Sequence, residues 1–239
     1  MNHLSAVGHK QRQWQRSLLE DASLQATYTQ ALTGVIEAVA CLQERLGTMG
    51  YPIHQLRQVP TIHDRNILKD LEKAGVAIPT VLKLFWTIVG GLSFVDLENH
   101  THRQFWCWQG LTDAFGDGVL VHSLTYTGYS DFVLQFWREQ EEDEESREPR
   151  IPISHDGFGK DGYSGGGPYT MFTEDSWHGQ FCYFNWWGAT RPITCTHGPL
   201  DLVSYLRVAL LECGGFPGFR GNREFEEMRG ELVEGLPLF

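Results

Sequence analysis

The sequence predicts an α+β fold, and three observations carry that expectation. Apolar residues recur every three or four positions through the first ninety or so residues of the chain. After Gly90-Gly91 the period shortens to β-branched and aromatic runs. A helical stripe then returns before the C-terminal tail. Helices, a sheet of mostly antiparallel strands and a closing helix describe a domain whose helices are segregated from its sheet.

Each element has its own justification. From Gln11 to Met49, Trp14, Leu18, Ala22, Leu32, Val35, Ile36, Val39, Leu42 and Leu46 form one face of a long helix, weakened in its middle by Gly34. A second helix runs from about His63 to Ala74 with Ile67, Leu68 and Leu71 inward, and Gly75 stops it. The third opens at Pro79, turns Val81, Leu82, Phe85, Trp86 and Val89 inward, and ends at the glycine pair. Leu92–Leu97, Phe105–Trp108 and Gly118–Leu124 read as strands. Asp131 to about Glu145 reads as helix. Arg150–Ser154, Tyr169–Phe172 and Gln180–Trp187 read as further strands. Gly198–Cys213 is the closing helix, with Leu202, Leu206, Leu210 and Cys213 in one stripe and Gly214 just beyond. Asn222–Arg229 reads as a short polar helix at most.

Composition narrows the function. The chain of 239 residues carries a net charge of −11, which argues against nucleic-acid binding and favours a basic partner. Seven acids and three arginines between Arg138 and Arg150 supply −4 of that charge. Within this run Glu141, Glu142, Asp143, Glu144 and Glu145 are the candidate partner-binding residues, set against the ordinary alternative of a solvated helix end. Cys41, Cys107, Cys182, Cys195 and Cys213 are odd in number and widely spaced, the usage of a reducing compartment. Neither a secretory leader nor a membrane span is legible, so the expected location is the cytoplasm.

Several motif matches fail on context. Gly157, Gly159 and Gly162 fit G-x-G-x-x-G, but PRIPIS before them and SGGGPYTMF after them supply neither the buried parallel strand nor the helix that a dinucleotide needs. Gly162, Ser164 and Gly166 fit a nucleophile elbow. Gly165, Gly166, Gly167 and Pro168 argue against the helix that must follow, and of the acids in reach of His197, Asp175 keeps the hydrolase order whereas Asp201 does not. A structural loop, with Gly165, Gly166 and Gly167 serving backbone turns, is the expectation. A calcium loop at Asp156 fails because Phe158 and Lys160 stand at ligand positions and Asp161 at the turn glycine. Asp96, Glu98, His100 and His102 would share a strand face and could hold zinc or iron, unless a turn at Glu98-Asn99 breaks the alignment; no metal and no cofactor is expected.

Three stretches carry a family resemblance. IPTVLKLFWTIVGG from Ile78 to Gly91, IPISHDGFGKDGYSGGGPY from Ile151 to Tyr169, and SYLRVALLECGGFPGF from Ser204 to Phe219 resemble the SUKH superfamily of immunity proteins and cell-wall-assembly regulators. The match spans most of residues 60 to 220. It implies a SUKH-like α+β domain over 59–221, a helical extension over 1–58 and a tail over 222–239. It also implies a non-enzymatic protein that binds and neutralises a cognate polymorphic or contact-dependent toxin, often a nuclease. The alternatives are a regulatory interaction scaffold, as in eukaryotic relatives, and, more distantly, a serine hydrolase using Ser164. The family supplies no catalytic residues to carry over.

Overall fold

The computed structural model describes residues 22–96, 98–111, 118–142, 150–153, 169–172, 181–184, 190–192, 194–195, 198–199, 201–219 and 222–239. Over these residues the architecture is mixed, with helices packed around small antiparallel sheets. None of the described helices is long and apolar enough to cross a membrane.

Helix α1 (Ala22–Thr48) buries Leu32, Val35, Val39, Leu42 and Leu46, the face its spacing predicts. The predicted positions 11–21 lie outside the described residues. Gly34, an apparent weak point, has a packing reason: a Cβ there would stand 2.3 Å from the Phe239 Cβ. Alanine suits a helix better than glycine, yet here it must push the C-terminal segment away. Gly34→Ala is therefore expected to speed amide exchange at Leu236, whose N–H donates to Val233 O, while Val35 keeps its protection.

Strand β1 (Arg57–Gln58) leads into α2 (Ile62–Lys73). Thr61 and Asp64 form a reciprocal capping box at its start, and Gly75, at φ 91°, ends it. Helix α3 (Thr80–Ile88) follows Pro79 and buries Val81, Leu82, Phe85 and Trp86. Gly90, at φ 92°, then turns the chain into β2 (Gly91–Ser93), the middle strand of a three-stranded sheet in the order β1-β2-β3 with β3 at Leu120–Val121. Both pairings are antiparallel, Arg57 opposite Leu92 and Leu92 opposite Val121.

The segment Phe105–Trp108 is not the strand its aromatic content suggests. It is the last half of α4 (Thr101–Trp108), and the reason lies upstream. Asp96 Oδ1 accepts from the N–H groups of Glu98 and Asn99, and Oδ2 accepts from the Thr101 hydroxyl, so the chain turns and starts a helix. His102, Phe105 and Trp106 are then buried at helical spacing, whereas Trp108 is 83% exposed. Among the described residues of the predicted strands Leu92–Leu97 and Gly118–Leu124, only Leu92 and Ser93 of β2 and the two residues of β3 are strand.

Helix α5 (Tyr129–Glu142) precedes a four-stranded antiparallel sheet in the order β4-β5-β6-β7, formed by Arg150–Pro152, Tyr169–Phe172, Phe181–Phe184 and Thr190–Pro192. The outer side of β4 is occupied by side chains and loops. Gln140 donates to Arg150 O and accepts from Arg150 N, the Tyr129 hydroxyl donates to Pro152 O, and His122 N–H donates to Ile153 O.

The closing helix starts later than predicted. Gly198–Pro199 is strand β9, paired with β8 (Thr194–Cys195), and α6 (Leu202–Leu206) begins behind the Asp201 cap. Its hydrogen bonding widens into a π turn over Arg207–Glu212, yet Leu202, Leu206, Leu210 and Cys213 stay buried as one stripe. The tail is more than a short polar helix. Helix α7 (Arg223–Val233) buries Phe225 and Leu232 completely, and Arg45 of α1 donates to the carbonyl of Leu232 at its end.

A single core joins these parts. Helix α1 packs on α3, α6 and α7. At one end Tyr51, Phe94, Phe105, Trp106, Phe216, Phe219 and Phe225 pack into an aromatic cluster, with the Tyr51 hydroxyl donating to Phe94 O at 2.5 Å.

Candidate functional site

One face of the three-stranded sheet opens into a cleft of about 370 Å³. It is lined by residues of β1, β2 and β3, by the segments next to β1 and β2, and by the loop that joins β3 to α5. That loop is held from three directions. His122 N–H donates to Ile153 O, the Trp86 indole donates to His122 O at 3.0 Å, and the His122 ring stacks on Tyr126 with centroids 4.0 Å apart.

A chain of hydrogen bonds anchors the same loop to α2 and β1. Asp64, although on α2, is buried, and its Oδ1 accepts from both the N–H and the hydroxyl of Thr125 at 3.0 Å. Its Oδ2 accepts from the N–H and hydroxyl of Thr61, at 2.8 and 2.7 Å. Burial pushes the Asp64 carboxyl up, but these donors from Thr61 and Thr125 outweigh it and hold the group below the usual carboxylate range. The Ser123 hydroxyl donates to the Gln58 side-chain oxygen at 2.6 Å and lies 3.3 Å from the Thr125 hydroxyl.

Chemically this is a positioning network. The four donors saturate the Asp64 carboxylate, and Ser123 gives its proton to an amide oxygen rather than to a base. Asp96 and Glu98 also line the cleft. Burial pushes Asp96 up, and the loop donors of Asn99, Thr101 and Glu98 more than reverse it, so this carboxyl too lies below its ordinary value.

The residues singled out from the sequence take varied places. Asp96, Glu98, His100 and His102 do not share a strand face: the turn at Glu98-Asn99 separates them, His100 adopts φ 53° before α4, and His102 Nδ1 accepts from Asp96 N–H. No group of three or more potential metal ligands occurs among the described residues. Asp201 caps α6 by accepting from the Ser204 N–H at 2.8 Å and its hydroxyl at 2.9 Å. Glu141 and Glu142 are the last two residues of α5. Asp143, Glu144, Glu145, Asp156, Gly157, Gly159, Gly162, Ser164, Gly165, Gly166, Gly167, Asp175 and His197 lie outside the described residues.

The Asp64, Thr125, Ser123 and Gln58 network escapes sequence reasoning, because its long-range bonds join residues 61 and 65 positions apart. One local signal was available. Thr61-x-x-Asp64 before an apolar run is a capping-box pattern, which marks the helix start though not the long-range contact.

Comparison of the chain with protein-family models, with curated proteins and with solved structures finds no match.

Proposed function

We propose that this chain is a non-enzymatic immunity protein with a SUKH-like fold, which binds and neutralises a cognate, basic protein toxin. The observation that carries the reading is the passage from Pro79 to Ser93. A proline-led helix ends on a positive-φ glycine and delivers the middle strand of a small antiparallel sheet, the arrangement that the family-like stretch IPTVLKLFWTIVGG implies. The net charge of −11 and the carboxylates that line the cleft suit a basic partner.

Coexpression tests the proposal. Host cells producing a cognate toxin are expected to stop growing, and cells producing both that toxin and this chain are expected to grow. Failure to rescue growth removes the toxin reading and leaves a regulatory scaffold. Changing Glu141, Glu142, Asp143, Glu144 and Glu145 to the matching amides is expected to slow association with the toxin and flatten its salt dependence. A fluorophosphonate probe addresses Ser164: no labelling is expected, and labelling abolished by Ser164→Ala would replace binding with serine hydrolysis.

A further inference from the structure

Among the described residues, Asp96 and Glu98 are the carboxylates that line the cleft beside β2, and no described lysine or arginine lines it. Glu98 is exposed and makes no ion pair among the described residues. Asp96 is held ionised by its loop donors. Ser93, at the end of β2 and lining the same cleft, donates its hydroxyl to Val95 O and so presents lone pairs alone. Among its described lining residues the cleft is therefore rich in acceptors beside Asp96 and carries no lysine or arginine. At about 370 Å³ the space is near the lower end of small-ligand sites, which run from about 300 to 1,000 Å³. Such a volume suits one or two side chains.

We infer that this cleft receives an arginine or lysine side chain presented by a basic segment of the protein partner, an assignment that rests on the binding reading above. Several N–H donors on one cation match the Glu98 and Asp96 carboxylates and the Ser93 oxygen, and charge-assisted hydrogen bonds of this kind are stronger than neutral ones. His122, Ser123 and Tyr126 of the hydrogen-bonded loop line the same cleft and give it a fixed wall.

The test uses the full chain and the blocked tripeptide acetyl-Gly-Arg-Gly-amide, followed through backbone amide chemical shifts. Shifts are expected to cluster at Ser93, Glu98, Ser123 and Tyr126, and to vanish when the central residue is glutamate. Glu98→Gln, at an exposed position with no side-chain hydrogen bond among the described residues, is expected to keep the wild-type melting temperature and weaken binding about two- to fivefold. No response to the arginine peptide, an equal response to the glutamate peptide, or unchanged affinity in Glu98→Gln overturns the assignment. A chain that rescues cells from the toxin without an arginine response overturns the cleft alone. A chain with the arginine response that rescues no cells overturns the toxin reading alone.

Discussion

Gly90→Ala is expected to destabilise the protein by about 2–5 kcal/mol, a loss readable from urea unfolding. Two separate costs add. The residue sits at φ 92°, where an alanine pays about 1–2 kcal/mol for its Cβ. The new methyl would also stand 2.0 Å from the Gln58 carbonyl oxygen and 2.9 Å from Pro60, and relieving such overpacking costs about 1–3 kcal/mol. Gly110 separates the two terms, because it has a similar φ of 88° but no atom of the described residues within 4 Å of the built Cβ. Gly110→Ala should therefore show the conformational part alone. Equal losses at the two positions would show that the close approach of β1 to Gly90 contributes nothing.

Asp64→Asn carries the second large effect, about 2–4 kcal/mol. An amide offers one acceptor atom where the carboxylate offers two, so either the Thr61 pair or the Thr125 pair of donors faces an NH₂ group. Hydrogen bonds to charged groups contribute about 1.5–3 kcal/mol each, and a buried donor left unsatisfied adds its desolvation penalty. The pH dependence has a definite sign. The folded pKa of Asp64 lies below its unfolded value, so its stabilisation is fully present above the unfolded value of about 3.9 and is lost as pH falls through the folded one. Wild-type stability should decline below about pH 4, in the window set by the unfolded value, more steeply than that of Asp64→Asn. Parallel acid profiles would remove Asp64 as a source of that decline. Faster amide exchange at Thr125 in the variant would report the freed loop.

The helices were the legible part of this chain because their signals are local. The stripe from Leu32 to Leu46, the proline before α3 and the glycines after α2 and α3 each act within a turn or two of their own position. The misreading at Phe105–Trp108 shows the limit. Four residues are too few to separate a period of 2 from one of 3.6, and the deciding group, Asp96, acts from nine residues earlier. Gly198–Pro199 misled in the same way, since proline near an apolar stripe reads as a helix start although the Asp201 cap marks the true one. The tail was undervalued because Phe225 and Leu232 stand seven residues apart among charges, and only the packing of α7 on α1 shows their burial. The cleft was illegible for a different reason. Its walls meet through pairings of residues far apart in sequence, and no local pattern encodes such a meeting.

The occupied margin of β4 has a consequence for the order in which the chain folds. Arg150 and Pro152 would otherwise offer backbone groups to any passing strand, but Gln140 and Tyr129 of α5 take them, and Pro152 has no N–H to give. The shield is thus built from a helix made before the strand it protects. While α5 is undocked, the nascent sheet presents a sticky rim flanked by Ile151 and Ile153, and a second chain can join there. Once α5 seats, that route to aggregates shuts. Gln140→Leu should then leave the native oligomeric state unchanged at low concentration yet lower the yield of refolding as concentration rises, because the vulnerable interval lengthens.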